Sequence, residues 1–166
     1  MKWLLFVGML FLSACAARAE DTQILEIADR SNQWGVRWSL RRFPDFAACH
    51  DKSSPRQNDL IWRKLIWTSD YWTCFYHLMT RLGSEENLRA WLLQFDLNLS
   101  VFPARYSAPD ERRLYFLCQH RENKCPLNWR IINLQYFGLD PIYAMSVDYT
   151  YVGNKLSDLQ IDYSIK

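Results

Sequence analysis

The sequence predicts an α+β domain: N-terminal helices, among them one long buried helix, packed on a C-terminal antiparallel β-meander with two disulfides. Three observations carry this expectation. Apolar residues recur at helical spacing through much of the chain before Pro103, the period changes to two after Glu111, and four cysteines remain once Cys15 is assigned to the N-terminal leader. The 166 residues, 49% of them hydrophobic, suit one domain, and only 5 Gly and 6 Pro exclude a collagen-like or low-complexity chain. No period of repeat-array length is present. Twenty basic against eighteen acidic residues leave a formal charge of +2, without the footprint of a dedicated nucleic-acid binder, so no nucleic-acid partner is expected.

Taken in order, residues 1–19 read as an export signal: Met-Lys, the apolar run Trp3 to Leu12, then small residues up to Ala19. The run is too short to span a bilayer as a helix. Two cleavage positions compete, one before Cys15 and one before Glu20, and residues 20–166 form the single domain. Leu12-Ser13-Ala14-Cys15 resembles the lipobox of bacterial lipoprotein precursors. That resemblance, confined to the signal region, implies a lipidated Cys15 as first mature residue, and Ala16 in place of Asp implies the outer membrane. Ala17-Arg18-Ala19 is the alternative, an A-x-A site that leaves a secreted soluble chain. In a eukaryotic secreted protein, Asn98-Leu99-Ser100 would be a glycosylation acceptor.

Ile24, Ile27, Ala28 and Ser31 predict a first amphipathic helix. Val36, Trp38 and Leu40 then alternate with Arg37, Ser39 and Arg41 as in a strand, and Ala47 to Asn58 reads as a polar surface loop. Between Arg56 and Leu82 there is no Gly or Pro, and Ile61, Leu65, Thr68, Trp72, Phe75, Met79 and Leu82 follow at alternating steps of four and three. A second row, Leu60, Trp67, Tyr71, Cys74 and Leu78, makes this helix apolar over more than half its girth, hence central. Gly83 suits a left-handed stop, Ser84 an N-cap, and Glu85 and Glu86 the positive end of the next helix dipole. Leu88, Trp91, Leu92 and Phe95 line one face of that helix.

Residues Ala104 to Glu111 read as a loop, followed by strands at Arg113–Gln119, Trp129–Phe137, Ile142–Val152 and Leu156–Ile165. The last hairpin permits a register argument. A two-residue loop at Gly153-Asn154 sets Val147 across from Gln160, with apolar rows on opposite faces. A three-residue loop sets Val147 across from Ile161 and Met145 across from Tyr163, so a loop of odd length is expected. Outside the cytoplasm, Cys49, Cys74, Cys118 and Cys125 are expected to oxidise, with Cys49–Cys74 and Cys118–Cys125 the favoured pairing of three.

No cofactor and no metal are expected, because the Cys-His neighbours lack the repeated spacing of zinc sites and oxidation competes with metallation. Hydrolytic chemistry would draw on Asp45, Asp51, Asp70, His77, Glu85, Glu86 and Asp96, yet none lies in a recognisable motif and no catalytic residue is assigned. Trp34, Arg37, Arg41 and Arg42, with Trp38, form a candidate partner-binding stretch, since Arg and aromatic rings anchor interfaces. On the strand reading, Trp34 and Trp38 face the core while Arg37 and Arg41 face solvent. The expected function is an exported, lipid-anchored envelope accessory protein that binds another protein: a secretion or pilus assembly factor, an immunity protein, or the periplasmic partner of a sensor. Its rivals are a small disulfide-stabilised envelope hydrolase and a carrier holding an apolar ligand between helix and sheet.

Overall fold

The computed structural model describes residues 22–101, 111–119, 142–153 and 155–165. Helix α1 covers residues 22–30 and buries Ile24, Ile27 and Ala28, three and four residues apart as a single apolar face requires. Its far end is fastened to the sheet by polar groups: the Arg30 guanidinium donates to the Ser157 carbonyl at 3.0 Å and the Ser31 hydroxyl to Asp158 at 2.8 Å.

The expected strand after α1 is a helix, α2, Val36–Arg42. Gly35 precedes it at φ 82, a left-handed turn that L side chains adopt at a cost. The residues that face inward are Val36, Ser39 and Phe43, spaced by three and four. A buried serine and an exposed tryptophan at 38 break the simple equation of apolar with buried, which is why alternation misled here. A short helix α3, Phe46–Cys49, follows, with the Asp45 carboxylate accepting the Ala48 N–H at 2.9 Å. Residues 47–49 of the expected loop are therefore helical.

Helix α4 spans Thr68–Leu82, fifteen residues of which twelve are buried, and starts well after the Gly- and Pro-free stretch begins. Two carboxylates explain the late start by taking backbone donors that a longer helix would use. Asp59 accepts from the Leu60 N–H (2.9 Å), the Trp62 indole (2.7 Å) and the Ser54 hydroxyl (2.6 Å), and Asn58 before it has φ 54. Asp70, in the first turn of α4, accepts from the N–H groups of Ile66 (3.1 Å) and Trp67 (3.0 Å). Only a 3-10 turn, Trp62–Lys64, forms between them. Gly83 ends α4 at φ 64, and Ser84 caps α5, Glu85–Leu93, through the Asn87 N–H.

Cys49 and Cys74 form a disulfide that joins α3 to α4, with Cα atoms 5.4 Å apart. One bridge joins described residues; Cys118 is buried on the sheet, and its expected pairing with Cys125 lies outside the described residues.

The strands are β1 (Ser100–Val101), β2 (Glu111–Gln119), β3 (Ile142–Val152) and β4 (Lys155–Ile165), antiparallel and in that spatial order. The two-residue β1 was not expected; the expected strand Trp129–Phe137 lies outside the described residues. Leu114, Phe116, Met145, Val147, Leu159 and Ile161 bury the face on which the helices pack. Helix α4 is tied to it by the Trp72 indole on the Leu159 carbonyl (2.9 Å) and the Tyr151 hydroxyl on the Met79 carbonyl (3.1 Å). Burial pushes the Tyr151 hydroxyl up to about 12, so it stays a neutral donor.

In the β3–β4 hairpin Val147 pairs with Ile161 and Met145 with Tyr163, the register that the buried face demands. The odd loop, however, is corrected: Val152 pairs with Lys155 across a two-residue turn, and the extra residue is a bulge at Ser157, between the Tyr151–Leu156 and Thr150–Asp158 pairs. The Ser157 hydroxyl donates to the Thr150 carbonyl at 3.2 Å across the irregularity. Among the described residues no helix is long and apolar enough to cross a membrane.

Candidate functional site

Helix α2 is held from beneath. The Asp70 carboxylate, 1% exposed, accepts from Ser39 Oγ at 3.0 Å and from Arg42 Nη1 at 2.8 Å, while Arg42 Nη2 reaches the Lys64 carbonyl at 3.1 Å. With these and the two N–H groups of Ile66 and Trp67, one buried carboxylate stitches α2 to the start of α4. The charge of Asp70 is thereby neutralised inside the fold.

The solvent side of α2 carries exposed aromatic and basic residues. Arg37, Trp38 and Arg41, one and three residues apart, share one side of α2, and Trp34 precedes the helix across the left-handed turn at Gly35. Trp34 is 72% exposed and Trp38 73%, contrary to the expectation that both face the core. The Arg41 guanidinium lies over the Trp38 ring, 5.0 Å from its centroid. Among the described residues neither Arg37 nor Arg41 takes part in an ion pair, whereas Arg42 is committed to Asp70. Of the expected partner-binding residues, then, Trp34, Arg37 and Arg41 come together outward with Trp38, and Arg42 serves the scaffold beside them.

Trp38 stands as a ridge between two grooves. One, of about 300 Å³, faces α1 and is lined by Leu25, Asp29, Trp34 and Arg37 among others. The other, of about 500 Å³, faces α4: Trp38 and Trp67 line it together with Arg41, Arg42, Ser69 and Asp70. Arg63 and Lys64, on the 3-10 turn before Trp67, are exposed next to it, as is Ile66. Neither 34–42 nor 61–69 contains an acidic residue. Sequence reading missed Arg63, Lys64 and Trp67 as neighbours of α2, because that stretch passed for the body of a helix. The visible signal was Asp70, an acidic residue within an otherwise apolar run.

Five of the seven residues considered for hydrolysis are occupied with separate structural tasks. Asp45 caps α3, and Asp51 accepts from the Ser53 hydroxyl and N–H, which hold its carboxyl below the usual range. Glu85 pairs with Arg89 at 2.6 Å and with Arg112 at 3.2 Å. His77 Nε2 lies 3.2 Å from the Phe43 carbonyl, and Asp70 is spent on Arg42. Glu86 and Asp96 are exposed. Among the described residues no group of three or more His, Cys, Asp or Glu is arranged to hold a metal ion. Cys15 lies outside the described residues. Compared with protein-family models, curated proteins and solved structures, the chain matches none of them.

Proposed function

We propose that the chain is an exported accessory protein of the bacterial envelope, anchored in the outer membrane by lipid at Cys15, that binds another protein through α2. The observation that supports this reading is the outward face Trp34, Arg37, Trp38 and Arg41. Burying a large apolar side chain is worth roughly 1.5–3 kcal/mol, so two indoles kept in water forgo a gain the core could have taken. Trp and Arg are also the side chains that most often dominate binding energy at protein interfaces. A hydrolase is disfavoured because Asp45, Asp51, Asp70, His77 and Glu85 are each partnered within the fold in separate tasks, and a carrier because Trp72, Phe75, Phe116 and Met145 fill the space between helix and sheet. A secretion or pilus assembly factor, an immunity protein and a sensor's partner would all use such a face in the same way. In this reading Cys118 is bridged to Cys125, and the mature chain carries no free thiol.

The test places a photo-crosslinking benzoylphenylalanine at Trp38 and, as a control, at exposed Thr80 in cells making the full chain. A protein adduct specific to position 38 is expected. Equal labelling at both positions, or none at 38, would overturn the reading. Separately, Cys15→Ser is expected to release the protein from the membrane fraction; a wild-type chain recovered soluble and beginning at Glu20 would replace the anchor with secretion.

A further inference from the structure

Resting on that protein-binding reading, we infer that the segment recognised is acidic and carries one bulky apolar side chain. Its carboxylates pair with Arg37 and Arg41, and its side chain enters the groove between Trp38 and Trp67. Charge comes first. Arg41 lines the groove, exposed Arg63 and Lys64 stand on the turn before Trp67, and Arg37 stands across Trp38; the stretches 34–42 and 61–69 that supply these charges contain no acid. Asp70, at the base of the groove, is 1% exposed and answered by Arg42, so it neither cancels this charge nor attracts a basic ligand, and exposed Asp29 lies on the other side of the Trp38 ridge, in the smaller groove with Arg37. The chain as a whole carries only +2, which makes the excess local to this face.

Shape narrows the occupant further. At about 500 Å³ the groove has room for an aromatic or large aliphatic side chain, within the range of roughly 300–1,000 Å³ typical of clefts that enclose small ligands. Trp38 and Trp67 give it indole walls, and the polar groups at its base are already satisfied by one another, since Ser39 and Arg42 both donate to Asp70. An apolar group therefore enters without stranding a buried donor or acceptor. Arg41, stacked on Trp38, keeps the edge of its guanidinium free for two-pronged pairing with a carboxylate. Because α2 is bolted to α4 through Asp70, the ridge and the charges are fixed before the partner arrives, which lowers the ordering cost of binding. A phosphate-rich bilayer would satisfy the arginines but leave the groove unfilled, so the acidic segment is the occupant that uses both features.

The experiment titrates the full mature chain, in detergent micelles, with the peptide acetyl-Asp-Glu-Phe-Asp-Glu-amide while following the indole N–H resonances of Trp38 and Trp67, assigned with Trp→Phe variants. Saturable shifts of both are expected. Replacing the peptide's Phe by Ala, or introducing Arg41→Ala, is expected to weaken binding at least tenfold, while Arg112→Ala, remote from the groove, leaves it unchanged. Should Arg41→Ala lose the dispersed spectrum of the folded chain, Arg41→Lys keeps the charge without the two-pronged edge and is expected to bind severalfold more weakly. The inference is overturned if the acidic peptide produces no saturable shift, if its Ala counterpart binds equally well, or if acetyl-Lys-Lys-Phe-Lys-Lys-amide binds as tightly. It is likewise overturned if phosphatidylglycerol vesicles shift the two indoles and the peptide does not. A position-38 protein adduct with no response to the peptide sinks this inference alone; loss of the adduct sinks the protein-binding reading beneath it.

Discussion

Arg41 and Arg42 are adjacent in the chain and opposite in role. Arg42 answers a carboxylate that is almost entirely buried, while Arg41 rests on an exposed ring. Removing one partner of a buried ion pair leaves the other uncompensated, at a cost of about 3–5 kcal/mol when both are buried; here Arg42 is partly exposed, but the abandoned group would be the buried Asp70. Arg42→Ala is therefore expected to lower unfolding stability by about 2–4 kcal/mol in urea titrations. Arg37→Ala and Arg41→Ala are expected to stay within about 0.5 kcal/mol of the parent, as surface substitutions do. A large loss from either would mean that it serves the fold. A second residue-scale expectation concerns Asp148 on β3. Burial, and then the nearby Asp162, raise its carboxyl above the ordinary 3.8, with Arg113 opposing. The folded chain thus holds that proton more tightly than the unfolded chain, so the penalty for ionisation is absent well below 3.8, sets in as pH rises through the raised value, and persists at neutrality. Asp148→Asn is expected to raise the melting temperature at pH 7 and not at pH 3, with a gain below about 1 kcal/mol because the site is only half-buried.

Among the elements, those whose apolar residues are also the buried ones were legible in the sequence. Ile24, Ile27 and Ala28 on α1 and Leu88, Trp91 and Leu92 on α5 follow this rule. Helix α2 breaks it with Ser39 inward and Trp38 outward, and a strand was read where a helix stands. The start of α4 was misplaced for a different reason: side-chain acceptors at Asp59 and Asp70 compete for backbone donors, and hydrophobic periodicity carries no trace of that competition. The β3–β4 hairpin shows a third case. Burial fixed which residues pair, but not where the chain places its odd residue. The bulge at Ser157 leads to a counterintuitive expectation. Deleting Ser157 leaves Lys155, Leu156, Asp158 and Leu159 in simple alternation across from Val152, Tyr151, Thr150 and Tyr149, so the variant is expected to fold with Val147 still opposite Ile161. The loss should be about 1–2 kcal/mol, from the hydrogen bonds that Ser157 makes to Thr150 and accepts from Arg30. Amide hydrogen exchange across β3 and β4 would show a collapse of protection if the bulge were required for register.

At the scale of the whole molecule, the helical layer and the sheet are joined by α4, and the Cys49–Cys74 bridge closes the segment leading up to that helix. The Cys49–Cys74 pair was legible because one cysteine precedes the long helix and the other lies on it, so that a bridge pins the segment before the helix to the helix. The candidate face was legible as a set of residue types but not as an arrangement, since a strand would have separated the tryptophans from the arginines that a helix brings together. Restraining a loop whose ends are 25 residues apart removes about 3.5 kcal/mol of chain entropy from the unfolded state, and Cys49→Ala with Cys74→Ala is expected to lower stability by about that amount in equilibrium denaturation. The seclusion of both sulfurs, each 0% exposed, has a kinetic side as well. An external thiolate must reach a sulfur in line with the bond it breaks, and in the closed fold there is no path to either one. Reduction of the native protein should consequently stop depending on dithiothreitol once the reagent is abundant, and the plateau rate should equal the rate at which α3 and α4 part, so that the bridge serves as an internal clock for the opening of the fold.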